Sequence, residues 1–138
     1  ASQIALGISI FKKNRTVFCI DGDGALIMHM GGLAINANNA GGNFKHIVMN
    51  NSAHDSVGGQ PTVGDKIDIT GIAVSLGYSW SKKVLTKDEI INAIKEIREI
   101  DGPALIEIQV KKGFRKDLGR PTVSPIENKK SFMKFLER

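Results

Sequence analysis

The chain has 138 residues, 41% of them hydrophobic, and a formal net charge of +5. That length makes a single domain with a core of its own, and no run of about 20 apolar residues occurs that would span a membrane. The basic balance comes with one Trp, one Tyr and no nucleic-acid-binding pattern, so it suits anionic small molecules better than nucleic acid. Cys19 is the one cysteine; it excludes an internal disulfide, reads as a buried structural thiol in an apolar run, and fits a cytoplasmic protein.

Residues 1–11 read as a buried helix with no capping residue ahead of it. The chain is therefore expected to be a piece of something longer, or to lack an upstream segment. Residues 15–20 form an apolar, β-rich run that ends at Asp21-Gly22-Asp23-Gly24. A helix is predicted over 26–37 despite Gly31 and Gly32, each of which costs about 1 kcal/mol inside a helix. Those two glycines imply close packing, or close approach of a ligand or partner. A second strand, 44–49, ends at Asn50-Asn51, and a Gly-rich loop covers 52–66.

A short helix over 68–77 and a third strand over 78–84 follow. Thr86 and Glu89 form a capping box, each able to satisfy a free amide of the helix start. Ile90, Ile91, Ile94, Ile97 and Ile100 mark the apolar face of that helix, which ends before Gly102. Residues 103–110 read as a buried strand, and 126–136 as a final helix with Phe132, Phe135 and Leu136 facing inward. Strands alternating with helices predict an α/β three-layer sandwich, a mostly parallel sheet with helices on both faces.

Ligands of such sheets bind at the carboxyl ends of the strands, where the Gly22-Asp23-Gly24 turn and the asparagine pair both fall. Mg²⁺ seeks oxygen ligands and commonly shares its shell with phosphates. Asp23 offers an anionic oxygen, an Asn side chain a neutral one, and the loop after Asn51 a main-chain carbonyl. Gly22 and Gly24 let backbone N–H groups approach a diphosphate. Gly-Asp-Gly alone is ordinary turn chemistry. Its pairing with Asn50-Asn51 on consecutive strand ends, with residues 25–49 between them, favours a Mg²⁺-diphosphate clamp.

That pairing resembles the signature of thiamine-diphosphate enzymes. The segments Asp21-Gly22-Asp23-Gly24-Ala25-Leu26-Ile27-Met28-His29-Met30-Gly31 and Asn50-Asn51-Ser52-Ala53-His54-Asp55-Ser56-Val57-Gly58-Gly59-Gln60-Pro61-Thr62 are similar to the phosphonopyruvate decarboxylase family. So are Arg115-Lys116-Asp117-Leu118-Gly119-Arg120-Pro121 and Glu127-Asn128-Lys129-Lys130-Ser131-Phe132-Met133. The resemblance covers the whole chain, but only the C-terminal, diphosphate-binding half of such an enzyme. It implies thiamine diphosphate and Mg²⁺ as cofactors, with Asp23, Asn51 and the Ala53 carbonyl as metal ligands. Gly22 and the backbone N–H groups of Gly24 and Ala25 would meet the diphosphate; Ala25 stands where many relatives have Ser, so one hydroxyl is missing.

The resemblance also implies decarboxylation of a 2-oxo acid, 3-phosphonopyruvate to phosphonoacetaldehyde. A pyrimidine-binding domain or subunit would complete the site within an oligomer. Sulfopyruvate decarboxylase is the rival reading, and a non-catalytic diphosphate-binding module stays open. The 2-oxoacid:ferredoxin oxidoreductases are disfavoured by the single cysteine.

The histidines are weighed separately. His54 follows the metal loop and either touches substrate or is an exposed turn residue. His29, one turn into the helix, either reaches the cofactor or sits in the core beside Met28 and Met30. His46, within a strand, is expected to have no catalytic role. Gly58-Gly59 offers hinges for a closing loop or simply a mobile one. Lys111, Lys112, Arg115, Lys116 and Arg120 bind a phosphonate, pair with a neighbouring subunit, or form a solvated basic face.

Overall fold

The computed structural model describes residues 1–137. Its elements run α1 (Ser2–Phe11), β1 (Val17–Gly22), α2 (Asp23–Met28), α3 (Gly31–Asn39), β2 (Phe44–Asn50), β3 (Ala53–His54) and β4 (Gln60–Pro61). Then come α4 (Ile69–Leu76), β5 (Trp80–Val84), α5 (Lys87–Glu99), β6 (Ala104–Gln109) and α6 (Pro125–Glu137). Four strands form one parallel sheet in the order β1-β2-β6-β5, and β3 pairs with β4 in a small antiparallel hairpin. Among the described residues no helix is long and apolar enough to cross a membrane.

The two inner strands, β2 and β6, are buried almost throughout, as expected for strands covered on both faces. On one face Phe44, Val48 and Leu105 meet Leu6 of α1, Leu26 of α2, Leu33 of α3 and Ile69 of α4. On the other, Ile47, Ile106 and Ile108 meet Ala93 and Ile97 of α5. Burying a side chain such as Ile97 is worth about 1.5–3 kcal/mol. The capping box at Thr86 and Glu89 forms in full. This is the α/β sandwich the alternation of elements predicts.

Five expectations change. The helix over 26–37 is two helices, because α2 ends at His29 and Gly31-Gly32 opens α3 instead of lying within a helix. The glycines do mark close packing: a Cβ on Gly32 would stand 2.5 Å from Gln3 Nε2, which donates to the Gly32 carbonyl at 3.1 Å. α1 is amphipathic and not buried, since only Ala5, Leu6 and Ser9 are covered while Ile4 and Phe11 face outward.

The third strand begins at Trp80, because Gly77 ends α4 in the left-handed conformation and Tyr78 lies in the connection. Finally, α6 buries none of its residues. Phe132 and Phe135 remain 47% and 50% exposed, and the Arg15 guanidinium stacks 4.4 Å over the Phe135 ring. The single helix α5 covers the inner strands of that face, while Phe18 and Ile20 of β1 stay 40% and 64% exposed beside Phe132 of α6. The Ile stripe of α5 is core except for Ile91, which is exposed.

Candidate functional site: a cavity at the carboxyl ends of the strands

Period-2 alternation sends Cys19 and Asp21 of β1, His46, Val48 and Asn50 of β2, and Leu105 and Glu107 of β6 to the same face of the sheet. Toward the carboxyl ends that face turns from apolar to polar. There Gly22, Asp23, Gly24, Ala25, Asn51, Ala53 and His54 line one cavity of about 270 Å³. His29 is exposed and lies outside it, so it is no core histidine. His46 is buried in the sheet and does not line it either. A larger cavity, about 620 Å³, opens at the opposite end of the sheet between Lys13, Asn39 and Asp101, away from these groups.

The turn into α2 brings Asp23 in as the first helical residue, buried, with an extended Gly22 before it. Asp23 Oδ2 accepts from the Thr62 hydroxyl, which in turn accepts from the Gly64 N–H at 3.1 Å. The loop after the hairpin is thereby folded down onto the carboxylate. Gly64 has to be glycine: a Cβ there would stand 2.6 Å from Asp23 Oδ2 and 2.7 Å from Asn50 Oδ1. Gly24 is constrained in the same way, because a Cβ would enter the His54 ring. His54 therefore packs directly on the turn.

The two asparagines divide the work. Asn50 is structural and fully buried: Nδ2 donates to the Gly64 carbonyl at 2.7 Å and to Glu107 Oε1 at 2.8 Å, while Oδ1 accepts from the Ser52 N–H at 3.1 Å. That last bond stabilises Ser52 at φ 56, a left-handed conformation uncommon for serine. Asn51 faces the cavity. Its Oδ1 accepts from the Ala53 N–H at 3.0 Å and its Nδ2 donates to Asp55 Oδ2 at 2.7 Å. The carboxylate of Asp23 and the side-chain amide of Asn51, with Ala53 beside them, bring oxygen-bearing groups to one cavity, a chemistry that suits a hard divalent cation. Gly24 and Gly64 serve that arrangement by letting the His54 ring and the Asp23 and Asn50 side chains pack against the backbone.

Sequence reasoning missed Glu107, Thr62, Gly64 and Asp55. The first was visible as a lone carboxylate within the apolar run Ala104–Gln109, since a buried acid needs partners. Glu107 Oε1 takes Asn50 and also Lys83 Nζ at 2.8 Å, leaving Oε2 without a partner.

A second buried network lies behind the turn. His46 Nε2 bonds Asp21 Oδ2 at 3.0 Å and its Nδ1 meets the Tyr78 hydroxyl at 3.3 Å. The bond from His46 holds the Asp21 carboxyl below the usual carboxylate range, against the opposing effect of burial. Cys19 Sγ lies 3.8 Å from the same oxygen, and burial, with Asp21 nearby, pushes its thiol up to about 12. Ligand atoms of Cys19, Asp21 and His46 fall within 4.8 Å of one another, but each already bonds within the group.

Comparison with known proteins adds four findings. Residues 1–108 match the family described as thiamine pyrophosphate enzyme, C-terminal TPP binding domain. The chain is 34% identical to a phosphonopyruvate decarboxylase of Streptomyces viridochromogenes, over 99% of its own length and 34% of that protein's. It is 32% identical to the sulfopyruvate decarboxylase subunit beta of Methanothermobacter thermautotrophicus, over 82% of this chain and 58% of that one. Thus the chain spans about a third of the first relative and just over half of the second. Among solved structures, a Mycobacterium smegmatis protein described as a thiamin diphosphate-dependent enzyme superposes with a TM-score of 0.64 at 21% identity, covering 80% of this chain and 22% of that one. That likeness establishes the fold.

Proposed function

This chain belongs to the family of C-terminal thiamine-pyrophosphate-binding domains, and from that premise we propose that it supplies the Mg²⁺- and diphosphate-holding half of a 2-oxo acid decarboxylase. The favoured substrate is 3-phosphonopyruvate, which on losing carbon dioxide gives phosphonoacetaldehyde. The observation that carries this reading is the single cavity at the strand ends where Asp23, Asn51 and Ala53 converge. In this reading Asp23 Oδ, Asn51 Oδ1 and the Ala53 carbonyl hold Mg²⁺, and the backbone N–H groups of Gly24 and Ala25 meet the diphosphate.

Thiamine diphosphate, when bound, supplies the electron sink that lets a 2-oxo acid lose carbon dioxide. The chain's own part is to orient and to exclude water. Asn50 and Glu107 stiffen the turn that presents Asn51 and Ala53, and Thr62 holds the loop over Asp23. His54, stacked on Gly24, is the side chain placed to touch substrate or move a proton near it. A pyrimidine-binding domain or subunit completes the site, in keeping with the relatives named as beta subunits.

Sulfopyruvate is the second reading, because sulfopyruvate decarboxylase subunits also align with this chain. Carbon dioxide release by the complete enzyme tests both. Phosphonopyruvate, sulfopyruvate and pyruvate are each offered with and without Mg²⁺ and thiamine diphosphate. Cofactor-dependent release fastest from phosphonopyruvate is expected. Preference for sulfopyruvate moves the assignment to the second reading, and release from none of them overturns both.

A further inference from the structure

Residues 111–120 carry Lys111, Lys112, Arg115, Lys116 and Arg120 against one carboxylate, Asp117. Arg115 is committed to that carboxylate, Nε to Oδ1 at 3.4 Å. Lys116 and Arg120 have no ion-pair partner among the described residues. Both line a cavity of about 290 Å³, together with Phe114, Leu118, Asp55 and Ser56.

The position of this cavity gives those cations meaning. Asp55 and Ser56 also line the cavity of Asp23 and Asn51, so the two spaces share a wall. Asp55 ties them mechanically, because its Oδ2 accepts from Asn51 Nδ2 at 2.7 Å and from the Gly113 N–H at 2.6 Å. Through that one carboxylate the basic arm is anchored to the asparagine of the clamp. Phe114 and Leu118, 75% and 54% exposed, form an apolar rim beside the cations.

We propose that the arm 111–120 is the subsite for the anionic tail of the substrate, with Arg120 and Lys116 gripping a tetrahedral phosphonate or sulfonate while the 2-oxo group faces the clamp. This rests on the decarboxylase reading and adds its specificity determinant. Arg120 offers a planar fork that matches two oxygens of such a group, and Lys116 a mobile point charge. Pyruvate, which lacks the tail, gains nothing from either residue.

The test uses the complete enzyme carrying Arg120→Gln, Lys116→Met, or both. KM and kcat are measured on phosphonopyruvate, sulfopyruvate and pyruvate, beside a calorimetric titration with Mg²⁺ and thiamine diphosphate. Each substitution is expected to raise KM for the two tailed acids about tenfold or more. The pyruvate kinetics, the cofactor affinity and the unfolding midpoint should stay unchanged. The tailed acid with the lower KM in the parent enzyme identifies which anion the arm serves. An equal loss on all three acids, or no change on any, overturns the subsite. Failure of the parent to bind thiamine diphosphate or to release carbon dioxide instead overturns the decarboxylase reading, and is seen before any variant is made.

Discussion

Glu107 on β6 accepts a 2.8 Å hydrogen bond from Asn50 on the adjacent strand β2, joining residues far apart in the chain inside the sheet. The same Asn50 amide holds the Gly64 carbonyl, and its oxygen holds the Ser52 N–H. One buried carboxylate thus fixes both the turn that carries Asn51 and the loop that covers Asp23. The Lys83 contact contributes less, since that side chain is 41% exposed and screened by water.

Glu107→Ala should therefore destabilise the domain by about 1–3 kcal/mol, the usual cost of leaving a buried donor, here the Asn50 amide, without its acceptor. Glu107→Gln keeps an acceptor for Asn50 and should cost less. Denaturant unfolding measures the first effect, and calorimetric titration with Mg²⁺ and thiamine diphosphate measures the second. Cofactor affinity should fall further in the Ala variant than in the Gln variant. Parent-like affinity in both would remove Glu107 from any part in shaping the site.

Asp23→Ala should abolish Mg²⁺-dependent binding of thiamine diphosphate while the fold is kept. The carboxylate meets the Thr62 hydroxyl and no buried cation, so little packing depends on it. Circular dichroism checks the fold and calorimetry the binding. Undiminished binding would remove Asp23 from the proposed ligand set.

Gly64→Ala tests the loop packed against Asp23 without replacing a proposed ligand. The added methyl would stand 2.6 Å from Asp23 Oδ2 and 2.7 Å from Asn50 Oδ1, distances that force the loop outward. The expected result is a cofactor affinity lowered at least tenfold, because a misplaced metal ligand or its support commonly costs 10–100-fold. An affinity equal to the parent's would mean that the loop does not bear on the site.

Cys19 should resist alkylation by iodoacetamide at pH 8 in the folded protein and react once the protein is unfolded. Burial raises its thiol to about 12, so the folded state stays protonated where the unfolded chain begins to ionise near the ordinary value of 9.0. The stability this contributes is complete below that ordinary value. It is lost as the pH rises from there toward the folded value. Cys19→Ala should flatten that alkaline limb of the unfolding profile, which thermal melts between pH 8 and 11 would show.

Thr86→Ala removes one side of the capping box, whose Thr86 Oγ1 accepts from the Glu89 N–H at 3.3 Å. A loss of about 1 kcal/mol is expected, read as a lower unfolding midpoint with cofactor binding unaffected.

Local rules carried much of the fold. The order of strands and helices, the capping box at Thr86 and the placing of Gly22-Asp23-Gly24 beside Asn50-Asn51 follow from hydrophobic period, turn chemistry and the alternation that produces a parallel sheet. Each of these depends on residues a few positions apart, so a sequence displays it directly. The pairing of that turn with the asparagines on consecutive strand ends, more than residue type, is what suggested the proposed clamp, because a divalent cation and a diphosphate need oxygen ligands and close backbone approach.

Tertiary structure decided what local rules cannot weigh. Whether a helix face is covered depends on what else reaches it: Phe132 and Phe135 carry the pattern of a buried face, yet α6 lies half open at the edge of the sheet. Gly32 is required where α3 meets Gln3 of another helix, a contact that no local pattern displays. The division of labour between Asn50 and Asn51 was settled by Glu107 and Asp55, whose hydrogen bonds to them come from another strand and a folded turn. A buried polar group takes the partner that space offers, and spatial neighbours separated by fifty residues leave no trace in the periodicity of a chain.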